Sequence, residues 1–127
     1  MVKSIETARR AAKKALESTY EGSCAVIEYG DLIDQITKIT HQGEIIVIEN
    51  QPCKLSFEKL SVAVQTETAA AVSQGVKLFI TPEIKIKSGS KIIVTQNGVT
   101  GEYSASGEPA VYYTHQEIEL SIFRGWT

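Results

Sequence analysis

Cysteine is scarce in this sequence, with two residues in 127, Cys24 and Cys53. That is too few for a disulfide framework, and they lack the paired spacing that holds zinc, so both are expected as buried thiols. Histidine is equally rare. His41 and His115 lie far apart, neither with Cys, His or Asp at ligand spacing, and no metal or cofactor is expected. Long apolar runs are missing as well. The longest, such as Ile45 to Ile48, are a few residues, where a membrane-spanning helix needs roughly 20, so no membrane contact is expected. Nor do cations prevail: a formal net charge of −2 lacks the excess of Lys and Arg on which tight sequence-independent nucleic-acid binding runs. Lys3, Glu6, Arg9, Arg10, Lys13 and Lys14 interrupt any apolar stretch of a secretory signal, and synthesis in the cytoplasm is expected.

What is present suits one folded domain over residues 1–127. Apolar residues make up 43% and charged residues 22% of the chain, the balance of a globular protein long enough to bury a core without staples. Residues 1–20 read as a helix, because Val2, Ile5, Ala8, Ala12, Ala15 and Leu16 recur at three- and four-residue steps. Ser4 is placed to cap its start and Gly22 to end it. The stripe is mostly alanine, so the helix buries little area and must dock on its own barrel or on a neighbouring subunit.

From Ser23 the period changes to two, and residues 23–127 are expected as a β-barrel. Cys24 to Tyr29, Glu44 to Ile48, Cys53 to Phe57, Val76 to Ile80, Ile84 to Ile86, Ile92 to Thr95, Val99 to Tyr103, Val111 to Tyr113 and Ile118 to Ile122 are β-rich. Turns are expected at Asn50 to Pro52, at Asn97-Gly98 and at Gly107 to Pro109; Asn-Gly favours a two-residue hairpin, since both central positions take positive φ. Gly30 to Gly43 reads either as a long hairpin excursion or as one helical turn. Roughly eight short strands at about ten-residue spacing give a mainly β fold, a small antiparallel β-barrel or sandwich with an N-terminal α-helix. The insertion 58–75 has no strong alternation, and it is either a plain surface loop or one that orders on assembly.

Catalytic apparatus is not apparent. His115 opens the last strand, where a structural hydrogen bond to a loop is the expected role. Lys85 to Lys91 is basic and contains glycine but lacks the spacing of a phosphate-binding P-loop. Glu117 and Glu119 are two like charges on the outer face of an amphipathic strand. The chain is therefore expected not to be an enzyme. At its end, Phe123, Arg124, Gly125 and Trp126 either form an interaction surface or tuck over the open end of the barrel.

Four stretches, Glu49 to Phe57, Gln74 to Glu83, Lys87 to Gly98 and Ser106 to Leu120, together resemble tailed-phage head–tail connector proteins of the head-closure, or stopper, type of Gram-positive phages and prophages. The shared pattern is ordered: Cys-Lys-Leu-Ser-Phe, a long insertion, Phe-Ile-x-Pro, Gly-Ser-Lys-Ile and a closing His-Gln-Glu-Ile. The resemblance implies a virion structural protein of the phage neck, made in the host cytoplasm. Its partners would be further copies in a ring of six or twelve, the portal and adaptor ring above, tail terminator or tail tube proteins below, and packaged DNA held non-specifically in the channel. An adaptor-like or tail-terminator-like neck protein, or a small oligonucleotide-binding barrel, are the alternatives. In such rings a loop from each subunit points to the axis, which makes Val64, Gln65, Thr66, Glu67 and Thr68 candidates to line the channel. Arg9 and Lys13 on the helix, with Phe123, Arg124 and Trp126, are the candidate assembly contacts.

Overall fold

In a computed structural model that describes residues 2–59 and 74–126, the alternating segments become antiparallel strands around a closed barrel. A helix, α1 (Val2–Glu17), precedes β1 (Gly22–Ile33), β2 (Thr40–Lys59), β3 (Gln74–Ile80), β4 (Lys91–Gln96), β5 (Val99–Val111) and β6 (Gln116–Ile122). Around the barrel the order is β1, β2, β3, β6, β5, β4, and β4 closes on β1 from Ser23↔Thr95 to Ile27↔Lys91. Each of the six strands is paired on both sides over part of its length.

The expected eight short strands are six, some of them long, among the described residues. Asn50 to Pro52 is not a turn but the interior of β2, where Pro52 pairs with Ser23 and Asn50 takes φ 53°. A bulge in β2 between Ile48 and Gln51, opposite Cys24 and Val26, absorbs this irregularity, the setting in which a strand accepts proline. Gly107 to Pro109 likewise lies within β5, at a register shift between Ser106 and Ala110. Ile84 to Ile86 forms no strand; Ile86 is buried but comes from the irregular segment 81–90, which folds across the end of the barrel. The Asn97-Gly98 turn is as expected, with φ of 53° and 77°.

The helix starts at Val2, so Ser4 lies in its first turn and is not the cap. Gly22 does not end it either but opens β1. A Cβ there would sit 3.1 Å from Thr95 O and 3.2 Å from Cys53 O, so a side chain would fit only if the neighbouring backbones gave by a few tenths of an ångström.

Val26, Leu78, Ile80, Ile92, Val94 and Ile118 are fully enclosed in the barrel, with Cys24 and Cys53 among them as free thiols. A hydrogen bond to Cys53, reinforced by burial, holds the Cys24 thiol protonated far above its ordinary range. At the barrel end, Gln116 is buried among these apolar residues and donates to Thr81 O (2.8 Å) and Ile84 O (2.6 Å), fastening the covering segment.

Candidate functional site

The barrel closes without part of the β1–β2 hairpin. β1 pairs with β4 only as far as Ile27, and β2 pairs with β3 only from Cys53 onward, while β1 and β2 go on pairing to Ile33↔Thr40. The result is a two-stranded ribbon, residues 28–49, that extends beyond the wall. Its tip resolves the ambiguous Gly30 to Gly43 segment as a hairpin. Asp34 Oδ1 accepts from Ile36 N (2.8 Å) and Thr37 N (3.3 Å), while Lys38 N donates to Asp34 O and takes φ 61°. These hydrogen bonds hold the Asp34 carboxyl below its usual range.

A bare two-stranded ribbon is marginal in water, and this one carries its own packing. Gly30 faces Gly43, and the gaps left by their missing side chains are filled: Leu32 Cδ1 lies where a Gly43 Cβ would be, and Ile45 Cδ1 lies over Gly30. Toward the tip much of its apolar surface is uncovered. Ile33, Ile36 and Ile39 at the tip are 59%, 92% and 63% exposed, and Ile46 and Val47 are exposed on the return strand.

The C-terminal residues brace the root of the ribbon. Trp126 stacks on Tyr29 at 5.1 Å, meets Phe123 edge-on at 5.0 Å and donates from Nε1 to Glu44 Oε2 at 3.0 Å. Lys91 joins the cluster, 3.1 Å from Glu44, 3.6 Å from Glu102 and 4.8 Å from the Phe123 ring centre. Of the two readings of this terminus, tucking describes Phe123 and Trp126, against the ribbon root, while Arg124 remains exposed. The Trp126 hydrogen bond, then Lys91, holds the Glu44 carboxyl below its ordinary range. A depressed carboxylate stabilises the fold above its unfolded pKa, and that contribution is lost as pH falls through the lower folded value. Trp126 is the sole tryptophan, so its fluorescence reads the cluster directly. Acidification below about pH 4.3, the ordinary Glu value, should shift Trp126 emission in a step that Glu44→Gln abolishes; an unchanged step in that variant would assign it elsewhere.

At the root of α1, Lys13 lies 2.7 Å from Glu83 and 3.6 Å from Glu17, and Arg9 sits 5.3 Å from the Tyr113 ring centre. A cleft of ≈ 370 Å³ lies there between Lys13, Tyr20, Pro52 and Glu83. Burial, then Glu17, pushes the Tyr20 hydroxyl up to about 12.

Above Gly22 the wall has no β1, although β2 continues to Lys59. Gln96 takes the place of the missing rung: its Oε1 accepts from Leu55 N at 2.8 Å and its Nε2 donates to Leu55 O at 3.3 Å, as a peptide unit would. An apolar cleft of ≈ 210 Å³ between Leu55, Phe57, Val94, Val99 and Tyr103 opens beyond it. Gln96→Ala should cost about 1–2 kcal/mol in urea unfolding, and a loss under a few tenths would show the bridge to be idle.

His115 lies in the loop just before β6 and makes the expected structural contact to that loop, with a second to Glu117 on the strand. Its Nδ1 meets Thr114 Oγ1 at 3.0 Å, its Nε2 meets Glu117 Oε2 at 2.9 Å, and its ring stacks on Tyr112. Glu117 also faces Lys77 at 3.8 Å. In the basic turn, Lys87 pairs with Glu28 at 3.8 Å and Lys91 with Glu44 and Glu102. The channel candidates Val64, Gln65, Thr66, Glu67 and Thr68 lie outside the described residues; at the flanks of the insertion, Glu58↔Gly75 and Lys59↔Gln74 are paired strand, so the connection spans 60–73. Sequence reasoning missed Gln96 and Gln116 and left the ribbon tip open between a hairpin and a helical turn. Gln116 left a signal, a polar residue in phase with the inward Ile118 and Leu120.

No family model matches this chain, and no curated protein does. Among solved structures it is similar to the phage-like element PBSX protein xkdH from Bacillus subtilis, with 10% identity and a TM-score of 0.46, over 77% of this chain and 90% of that one. A likeness of this degree assigns no role to any residue.

Proposed function

We propose that this chain is a non-catalytic structural subunit of the phage neck, forming a head-closure ring between the portal and adaptor above and the tail below. In that place it retains packaged DNA and presents the platform on which the tail docks. The ordered motifs from Glu49 to Leu120 support the reading, and the structural observation that carries it is the ribbon. A closed barrel has no internal use for a projecting hairpin tipped by Ile33, Ile36 and Ile39, whereas a subunit that meets neighbours has. The same observation fits an adaptor or tail-terminator neighbour in the neck. The oligonucleotide-binding alternative gains nothing from the basic turn, because Lys87 and Lys91 already face carboxylates. Imaging of purified particles tests the proposal: a ring of this barrel between portal and tail is expected, and necks from which the chain is missing would sink it.

A further inference from the structure

We infer that the ribbon of one copy docks on α1 of a second copy of this chain, in a head-to-tail contact. Both surfaces stay open within a single chain. Ile36 at the ribbon tip is 92% exposed and Ile5 on the helix stripe 55%. Arg9 on Tyr113 and Lys13 on Glu83 tie α1 to the barrel, and a helix of this length is marginal in water unless its apolar side is covered.

Charge selects the partner. The ribbon, residues 28–49, carries Glu28, Asp31, Asp34, Glu44 and Glu49 against Lys38 alone; Glu28 and Glu44 are already paired with Lys87 and Lys91, which leaves Asp31, Asp34 and Glu49 against Lys38, a net charge of −2. The helix carries Lys3, Arg9, Arg10, Lys13 and Lys14 against Glu6 and Glu17, a net charge of +3. Among the described residues Arg10, Lys14 and Glu49 have no ion-pair partner. An acidic apolar arm and a basic amphipathic helix on the same molecule are complementary to each other and repel their own kind. Because the two patches differ, each contact leaves one free ribbon and one free helix, so the association propagates and closes only as a ring. Closure into a ring rests on the neck reading; the contact itself does not.

Sedimentation equilibrium of the full chain over a concentration series, at low and high salt, tests this. The wild type should self-associate at low salt and dissociate as salt rises. Reversing the helix (Arg10→Glu with Lys14→Glu), or reversing the ribbon (Asp31→Lys with Glu49→Lys), should each weaken association by about ten-fold. Mixing the two variants should restore it, since each reversed helix then meets a reversed ribbon. Ile36→Asp, at a side chain that packs on nothing, should abolish association while leaving the circular dichroism spectrum unchanged. A wild type that stays monomeric throughout, association indifferent to both reversals, or a mixture no tighter than its parts would overturn the contact. Helix reversal that abolishes duplex DNA binding without altering self-association would overturn it as well. Restored pairing by a protein missing from purified necks would remove the neck reading and leave this contact standing.

Discussion

Leu78→Ala should lower the unfolding free energy by roughly 2–5 kcal/mol, the range for a buried leucine whose cavity relaxes only in part. Leu78 is fully enclosed at the middle of β3, opposite Leu55 on β2 and Ile118 on β6, and all three point into the barrel. A closed barrel collapses poorly around a deletion, because each strand is held on both sides by its neighbours. Urea unfolding should show a lower midpoint with an unchanged slope. Against the 5–15 kcal/mol typical of a domain this size, that is a large share. A loss under about 1 kcal/mol, as at an exposed site, would contradict the described core.

Gln116→Glu should be comparably severe and, unlike the Leu78 change, strongly dependent on pH. The Gln116 side-chain nitrogen serves two carbonyls, Thr81 O and Ile84 O, in a place that water does not reach. A carboxylate there sets oxygen against oxygen and buries a charge without a counter-ion, costing roughly 2–4 kcal/mol at neutral pH. Burial disfavours the charged form, so the introduced carboxyl titrates above its unfolded value of about 4.3. The fold therefore favours the protonated side chain, and the loss is full above the folded pKa and shrinks as pH falls toward the unfolded one. Below that value the protonated group donates to one carbonyl and part of the loss returns. Gln116→Leu is the control: it leaves both carbonyls unserved and should cost about 1–3 kcal/mol at every pH. If the two variants share one pH profile, Gln116 does not hold the covering segment as described.

These two residues differ in how far the sequence announces them. Leu78 sits in the alternation of Val76, Leu78 and Ile80, and Ile118 in that of Ile118, Leu120 and Ile122, so their inward direction follows from period-two patterning alone. The turn at Asn97-Gly98 and the buried thiols of Cys24 and Cys53 are legible on the same local grounds. Turn residues misled elsewhere. Asn50, Pro52, Gly107 and Pro109 have the composition of chain reversals but lie within long strands, because bulges on β2 and β5 take up the irregular residues while pairing continues on both sides. Ile86 had the pattern of a strand and the burial of one without its geometry, since the segment that carries it is held by the side chain of Gln116.

The proposed contact surfaces were legible only in part. The alanine-rich stripe of α1 and its cations were visible, and so was the helix's need for something to dock on. A hairpin excursion was one of two open readings for Gly30 to Gly43, but its exposure was not legible, because whether Ile33, Ile36 and Ile39 are core or surface depends on where the barrel wall stops. That limit is set by register: β4 reaches only to Ile27 of β1, and β3 only to Cys53 of β2.

The scarcity of cysteine is informative in one direction. The sequence by itself determined a helix followed by a β-rich barrel or sandwich whose two thiols are inside, because helix and strand periods and apolar alternation are local properties. Tertiary structure decided how many strands there are, which side chains replace missing backbone partners, and which apolar residues are left outside. Those outcomes depend on pairing between segments far apart in the chain, and no local pattern encodes where such pairing ends.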